Sequence, residues 1–540
     1  MGQLRISLTI SGAASLGAYE GGALAALLYA ARAVAAGDNP PLRIDVMSGA
    51  SAGSVTALLS ARALLEGHDP RTVMYGAWVT SDSIGKMLAH DTHAPLSIDA
   101  LRKIGQSLLD PAGEDASPLR QSAEIHLSYT LACLRGFEYL LPRVGRQEPV
   151  HATTFVDTYD HVLTPRAAID SLVSPPQAAP LDAALASAAN ELGFPPYLLK
   201  RDEAWAAYLE QGVDNLPAGD DHTLWYTDGG TIANEPLGQT LNLSNAIDSD
   251  NADCRRLHLL IHPHPTAALL DDSWASPAVQ PTFTQTAVRG LELQRTQSLY
   301  ADLKQLEKTN SHLSWLGVLS GKLGPVLDGL PEASKAQVMA AIEDAAAAIA
   351  ADRDGLARQR TARPDADRPA EGGQAPASQA DGGQANGGAS AAQPSERLIK
   401  TLRAATGLAG KNPARVDVIS PLLLPEARTY GVGRLLSGEV MFHFGGFLDE
   451  DARRSDFDLG YASTLAWLKD GGLSGAGLSD KHAAQALEAA TTAYKPKDGW
   501  KTTGSRSAVA MLQRHPWQAA ALAGKITQVL LHDLFHHPKP

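Results

Sequence analysis

Residues 49–53 read Gly-Ala-Ser-Ala-Gly, a G-x-S-x-G that occurs once in the 540-residue chain. Its position constrains the fold. Residues 43–47 have strand character, and an Ala/Leu-rich helical run follows through about Leu65. A serine between strand and helix sits on a sharp, strained turn, where small neighbours let the chain bend and a reacting molecule approach. The helix that begins after Ser51 aims its free N–H groups and positive dipole end at that turn, which favours developing negative charge. In a chain with 48 glycines a chance match is the competing reading, and the flanking strand and helix weigh against it.

The same strand–turn–helix order occurs earlier. Residues 4–10 alternate apolar and polar as a strand does, residues 11–17 form a small-residue turn, and an apolar helical run covers about residues 20–36. Two such units in succession predict an α/β layered fold with a largely parallel sheet. Further strands are expected at 223–227, 257–262 and 415–424, and long helices at 284–308 and 333–351. The middle, from about Ser97 to Leu216, reads as mainly helical. The stripe Ile98, Leu101, Leu108, Leu109 is read either as a core-facing face or as a lid. Between Leu356 and Leu398 there is no Val, Ile, Leu, Met, Phe, Tyr or Trp, so that stretch is expected to be a disordered linker. The expected organisation is a core over 1–310 with a helical insertion at about 66–216, a helical extension over 311–356, a linker over 357–397, and a C-terminal strand and helices over 398–540 that pack back on the core.

The turn Gly12-Ala13-Ala14-Ser15-Leu16-Gly17 can present backbone N–H groups as an oxyanion hole, or it can be a plain structural turn. No Lys-Ser/Thr follows it, which argues against a phosphate-binding P-loop. A base for Ser51 is sought among three Asp-Gly-Gly triplets, at Asp228, Asp381 and Asp470. Asp381 falls in the expected linker, and Asp470 ends a helical run where Gly471 reads as a C-cap. Asp228 alone follows a strand, and strand ends in α/β sheets are where catalytic groups collect. A Ser-His-Asp triad competes. However, only two strands precede Ser51, too few for that fold, and His258, His262, His264 and His443 carry no turn signature of a general base.

The three motifs together resemble the patatin-like phospholipase family, in a bacterial branch. Gly12–Gly17, Ser51 and Asp228-Gly229-Gly230 follow in the family's order, and Phe444-Gly445-Gly446-Phe447 with Arg453, Asp456-Phe457 and Leu459-Gly460 is similar to a C-terminal signature. The resemblance implies a three-layer α/β/α sandwich with a mainly parallel central sheet, plus extra helices. It also implies a serine acyl hydrolase that cleaves lipid esters through a Ser51–Asp228 dyad and an acyl-enzyme. The N–H groups of Gly12, Ala13 and Ala14 would hold the oxyanion, and Gly17, Gly49, Gly53, Gly229 and Gly230 would support the motifs. Two departures stand out. Alanines 13 and 14 occupy places where the family has glycine, and Leu16 replaces the usual cation. They motivate the alternative of a non-catalytic lipid-binding or scaffolding protein on the same fold, and they leave neutral lipids and simple acyl esters open as substrates.

A net charge of −13 argues against nucleic acid as a partner. The expected partner is a lipid or acyl-ester substrate, with peripheral membrane contact as an option. No cofactor is implied. Metal is not expected either, although His532, His536 and His537 cluster near the C-terminus without a zinc motif. With two cysteines, Cys133 and Cys254, no signal-peptide pattern and no long apolar span, a cytoplasmic protein is expected.

Overall fold

A computed structural model describes residues 3–536 except 36–39, 82, 91–92, 111–120, 142–149, 214, 218–220, 249–254, 265–281, 362–393, 409–410, 440–442 and 502–507. Eight strands form one sheet: β1 (Leu4–Ile10), β2 (Leu42–Gly49), β3 (Ile125–Leu141), β4 (Val150–Leu163), β5 (Tyr197–Lys200), β6 (Thr223–Thr227), β7 (Arg255–Ile261) and β8 (Arg415–Ile419). Their order is β5-β6-β3-β2-β1-β7-β8, with β4 on β3. The strands β3, β2, β1, β7 and β8 run parallel, while β4, β5 and β6 pair antiparallel. The sheet is thus mixed, mostly parallel and flanked by helices, as expected of a three-layer α/β/α fold.

The principal helices are α1 (Gly17–Ala33), α2 (Ala52–Glu66), α3 (Ile98–Leu109), α4 (Pro180–Ser187), α5 (Leu237–Asp248), α6 (Phe283–Asp328), α7 (Glu332–Thr361), α8 (Pro394–Ala405), α9 (Glu450–Lys469) and α10 (Pro516–His536). The alternation in β1 does not mark a half-exposed strand. Leu4, Ile6, Leu8 and Ile10 enter the core, and Ser7 and Thr9 on the opposite face are equally buried. Their hydroxyls meet Ser244 at 2.8 Å and Thr240 at 2.7 Å on α5. Buried polar groups need such partners, so a helix with hydroxyls at i and i+4 can cover a polar strand face.

The helix α1 is apolar on nearly all sides and almost wholly buried, as a helix between a sheet and an outer layer must be. The outer layer over it is α9, from the last third of the chain. The two cross so closely that a Cβ on Gly22 would lie 1.9 Å from the Phe457 carbonyl oxygen, and one on Gly460 1.9 Å from that of Tyr19.

The middle of the chain departs from the helical expectation, because β3, β4 and β5 lie within 97–216. In β4 the sequence Val-His-Ala-Thr-Thr-Phe-Val-Asp-Thr-Tyr is rich in β-branched and aromatic residues, and its burial alternates with period two. Both features favour strand. In β3 the helix formers of Leu131-Ala132-Cys133-Leu134-Arg135 mask the same signal, and cross-strand pairing overrides them. The helix α6 also runs through the boundary expected at residue 310. At the edges of the expected linker, α7 and α8 reach residue 361 and begin at 394, and the residues between lie outside the described ones. Among the described residues no helix is long and apolar enough to cross a membrane.

Candidate active site

Strand register brings the site together. Ile10 pairs with Gly49 on one side and Ile261 on the other, so the turns after β1 and β2 leave the sheet side by side. The carboxylate arrives by a different route. The strand β3 runs past the end of its parallel neighbour: Gly49 pairs with Tyr129, yet β3 continues to Leu141. The strand β6 pairs antiparallel with that overhang, Thr227 opposite Ala132, and so delivers Asp228 back to the level of Ser51.

Ser51 caps α2 at φ 53° and ψ −126°. The left-handed φ is costly for a residue with a side chain and marks the sharp elbow. The flanking glycines are required by contact. A Cβ on Gly49 would stand 2.4 Å from Gly53, and a Cβ on Gly53 would stand 2.4 Å from the Ile10 carbonyl oxygen. Ser51 Oγ donates to Asp228 Oδ2 at 3.1 Å, and both residues are buried. Asn190 Nδ2 donates to the same oxygen at 2.8 Å, and the Gly230 N–H donates to Oδ1 at 2.8 Å. The Ser51 N–H is held by Ser187 Oγ at 2.9 Å. Gly229 lies so close to β3 that a Cβ would be 1.9 Å from the Thr130 carbonyl oxygen.

Asn190 and Ser187 were missed in the sequence. Both follow from the end of α4, which also accepts hydrogen bonds from the Asp228 N–H and the Thr227 hydroxyl at Ala189. Polar residues at a helix end carry no distinguishing pattern, so only the fold reveals them.

The turn after β1 lies against the serine. A Cβ on Gly12 would be 3.1 Å from Ser51 Cβ and 2.4 Å from Asn234 Oδ1. The Gly12 N–H, however, donates to the Asn234 carbonyl at 2.9 Å, so it is committed elsewhere and its part is steric. The Ser15 N–H donates to His443 O, and the Leu16 N–H to Ala13 O. In this turn the N–H groups of Ala13 and Ala14 have no acceptor among the described residues. Ala14 sits at φ 46°, the conformation for which glycine is suited. Gly17 abuts the Trp78 ring, which a Cβ would meet at 2.5 Å.

The C-terminal signature braces this turn. Arg453 is buried, donates twice to Val79 O and once to Gly446 O, and the Gly446 N–H donates to Ser15 Oγ at 3.1 Å. Asp456 accepts from the N–H groups of Ser437 and Gly438. The carboxyl of Glu20, behind Ser11, is held well above the usual range by burial.

The partner of the Ser51 hydroxyl is the Asp228 carboxylate rather than a histidine ring. Burial depresses His258 to about 4 and His262 to about 3, so both rings stay neutral inside the sheet and beside it. His264 Nε2 lies 2.6 Å from Glu439. Asp470 ends α9 with Gly471 left-handed at φ 81°, a cap as expected. Asp381, Cys254 and His537 lie outside the described residues, and Cys133 is buried and free. Among the described residues no group of three or more His, Cys, Asp and Glu could hold a metal ion.

Ser51 lines a cavity whose walls are mainly apolar. Val55 and Leu59 of α2 form one wall, and Leu101, Ile104 and Leu108 of α3 form another. Phe194, Phe444 and Phe447 stand with Ala14 and Asn190 at the serine end. Among the described residues no charged one lines it, and Leu16 is fully buried. The apolar stripe of α3 faces this cavity and the core. Buried Asp182 of α4 pairs with Arg102 of α3 and anchors the helix there.

An α/β/α sheet with a serine on a strand–helix elbow, opening into an apolar cavity, defines a class of hydrolase-type folds in which the serine's surroundings decide the chemistry. Comparison with known families is more particular: residues 8–241 match the patatin-like phospholipase family, whose members are generally lipid acyl hydrolases. That match contains the Gly12 turn, Ser51 and Asp228. No curated protein matches the chain significantly.

Proposed function

We propose that this protein is a serine acyl hydrolase that cleaves carboxylic ester bonds of lipids through Ser51 and Asp228. The observation that carries the reading is the 3.1 Å hydrogen bond from Ser51 Oγ to Asp228 Oδ2 at the head of an apolar cavity. Ser51 Oγ attacks the acyl carbonyl while its proton passes to Asp228 Oδ2. The oxygen of the tetrahedral intermediate is held by the N–H groups of Ala13, Ala14 and Ala52, the last at the first position of α2. Asp228 returns the proton to the leaving alcohol. It then takes one from water, whose oxygen attacks the acyl-enzyme, and the carboxylic acid departs as Ser51 is regenerated. Asn190 and the Gly230 N–H fix the carboxylate throughout.

Ser51→Ala and Asp228→Asn should each lower turnover of p-nitrophenyl acyl esters by at least about a thousandfold. A fluorophosphonate should label Ser51. Full activity in either variant, or labelling of another serine instead, would remove the dyad.

Peripheral contact with lipid surfaces belongs to the same reading. The helix α10 packs Leu522 against a cluster containing Phe194 and Phe447, both cavity residues. It exposes Trp517 at 88%, and Leu530 and Leu531 are exposed as well. Lys525 is the only charged residue from Pro516 to Leu531. Apolar helices of this kind bury one side at the headgroup boundary. The protein should float with phosphatidylcholine vesicles, and Trp517→Ala with Leu530→Ala should reduce flotation while turnover of a soluble ester persists. Equal flotation by the double variant would disprove this contact.

A further inference from the structure

The cavity has a direction and a floor. It follows α2 from Ser51 past Val55 to Leu59. Eight residues at 1.5 Å each make this about 12 Å. The helix α3 runs alongside in the same sense. Leu101 packs near Phe194 and Phe447 at the serine end. At the other end the Leu109 carbonyl accepts from Arg62 Nε at 3.2 Å. Arg62, on the turn of α2 after Leu59, is buried and also donates to Ala167 O at 2.7 Å. This guanidinium ties α2, α3 and the 167 segment together beyond Leu59 and Leu108. Gly76 closes the same end, since a Cβ there would lie 3.0 Å from Leu108 Cδ2. The sides are close as well: a Cβ on Gly105 of α3 would stand 2.8 Å from Leu181 Cδ1 of α4.

We infer that the cavity is a blind gauge for one acyl chain, with Leu59 and Leu108 as its floor, and that it selects medium-chain acyl groups. The inference rests on the reading that Ser51 is the acylated residue. A 1.52 Å carbon–carbon bond advances an extended chain by about 1.25 Å, so about 12 Å accepts about ten carbons. In a cavity with a floor a longer chain either holds its carbonyl away from Ser51 or displaces the floor at a cost in packing, while its extra methylenes gain nothing from burial. With no charged group among the described lining residues, the gauge acts on the acyl part.

The test is kcat/KM on p-nitrophenyl esters from butyrate through decanoate to palmitate, for the full chain and for Leu59→Ala, Leu108→Ala and Ile104→Trp. The full chain should peak near decanoate and fall at least about tenfold by palmitate. Either floor variant should move the peak toward longer esters, and Ile104→Trp should move it toward shorter ones. In parallel, calorimetric binding of the corresponding free fatty acids to Ser51→Ala protein reads the same length dependence without chemistry. A palmitate optimum, a flat series, or a peak unmoved in both floor variants would overturn the gauge. Undiminished turnover by Ser51→Ala would overturn the catalytic reading instead, while the fatty-acid series still reports on the cavity.

Discussion

Two residues in the site hold left-handed backbone, and they differ in what that conformation gains. Ser51 at φ 53° is fixed by the elbow, with Gly49 and Gly53 packed against neighbouring backbone. Ala14 at φ 46° sits in the turn after β1, in a conformation for which glycine is suited. A left-handed alanine costs about 1–2 kcal/mol, partly offset by the greater chain entropy that glycine loses on folding. Ala14→Gly should therefore raise stability by up to about 1 kcal/mol, read from the urea midpoint, and should keep the N–H donor. Lower stability in that variant would mean that the Ala14 methyl, which lines the cavity, packs more favourably than the strain costs.

Among the elements, α1 and α9 cross in backbone contact. Gly22 and Gly460 meet backbone carbonyls at distances no side chain tolerates, and Thr464 Oγ1 donates to Ala23 O at 3.0 Å across the interface. Gly460→Ala should destabilise the fold by about 3 kcal/mol or more, because neither backbone can withdraw without opening the core. The same substitution at Gly317 of α6, with nothing within 4 Å, should stabilise by up to about 1 kcal/mol through helix propensity. Thermal melts of the two variants check the contrast, and similar melting points would refute it. Elements also show where the sequence was legible. The strands β1 and β6 are evident at their observed bounds, since period-two patterning bounded by turns is a local signal. The long β3–β4 ladder was not, because Leu, Ala and Arg favour helix locally and only pairing over many residues decides otherwise.

At the scale of the whole molecule, the two residues proposed to react were legible because each is bound to a local rule: a serine flanked by glycines on an elbow, and an aspartate at a strand end. The groups that hold them were not. Ser187 and Asn190 act from the end of a helix, and Arg453 acts on the Gly12 turn from more than four hundred residues away. The limits of the family match make the same point, because it stops at residue 241 while β8, α9 and the Ser15–Gly446 contact lie beyond it.

The position of α9 fixes an order of events during synthesis. A ribosome adding about 5–20 residues per second releases α1 roughly 20–90 s before Gly460 exists. Through that interval the nascent α1 has no outer cover and the turn beside Ser51 lacks its brace from Gly446 and Arg453. The Ser51 hydroxyl and the turn beside it are therefore braced only after residue 460 has been added, so the centre proposed above stays unassembled while the residues before it are made.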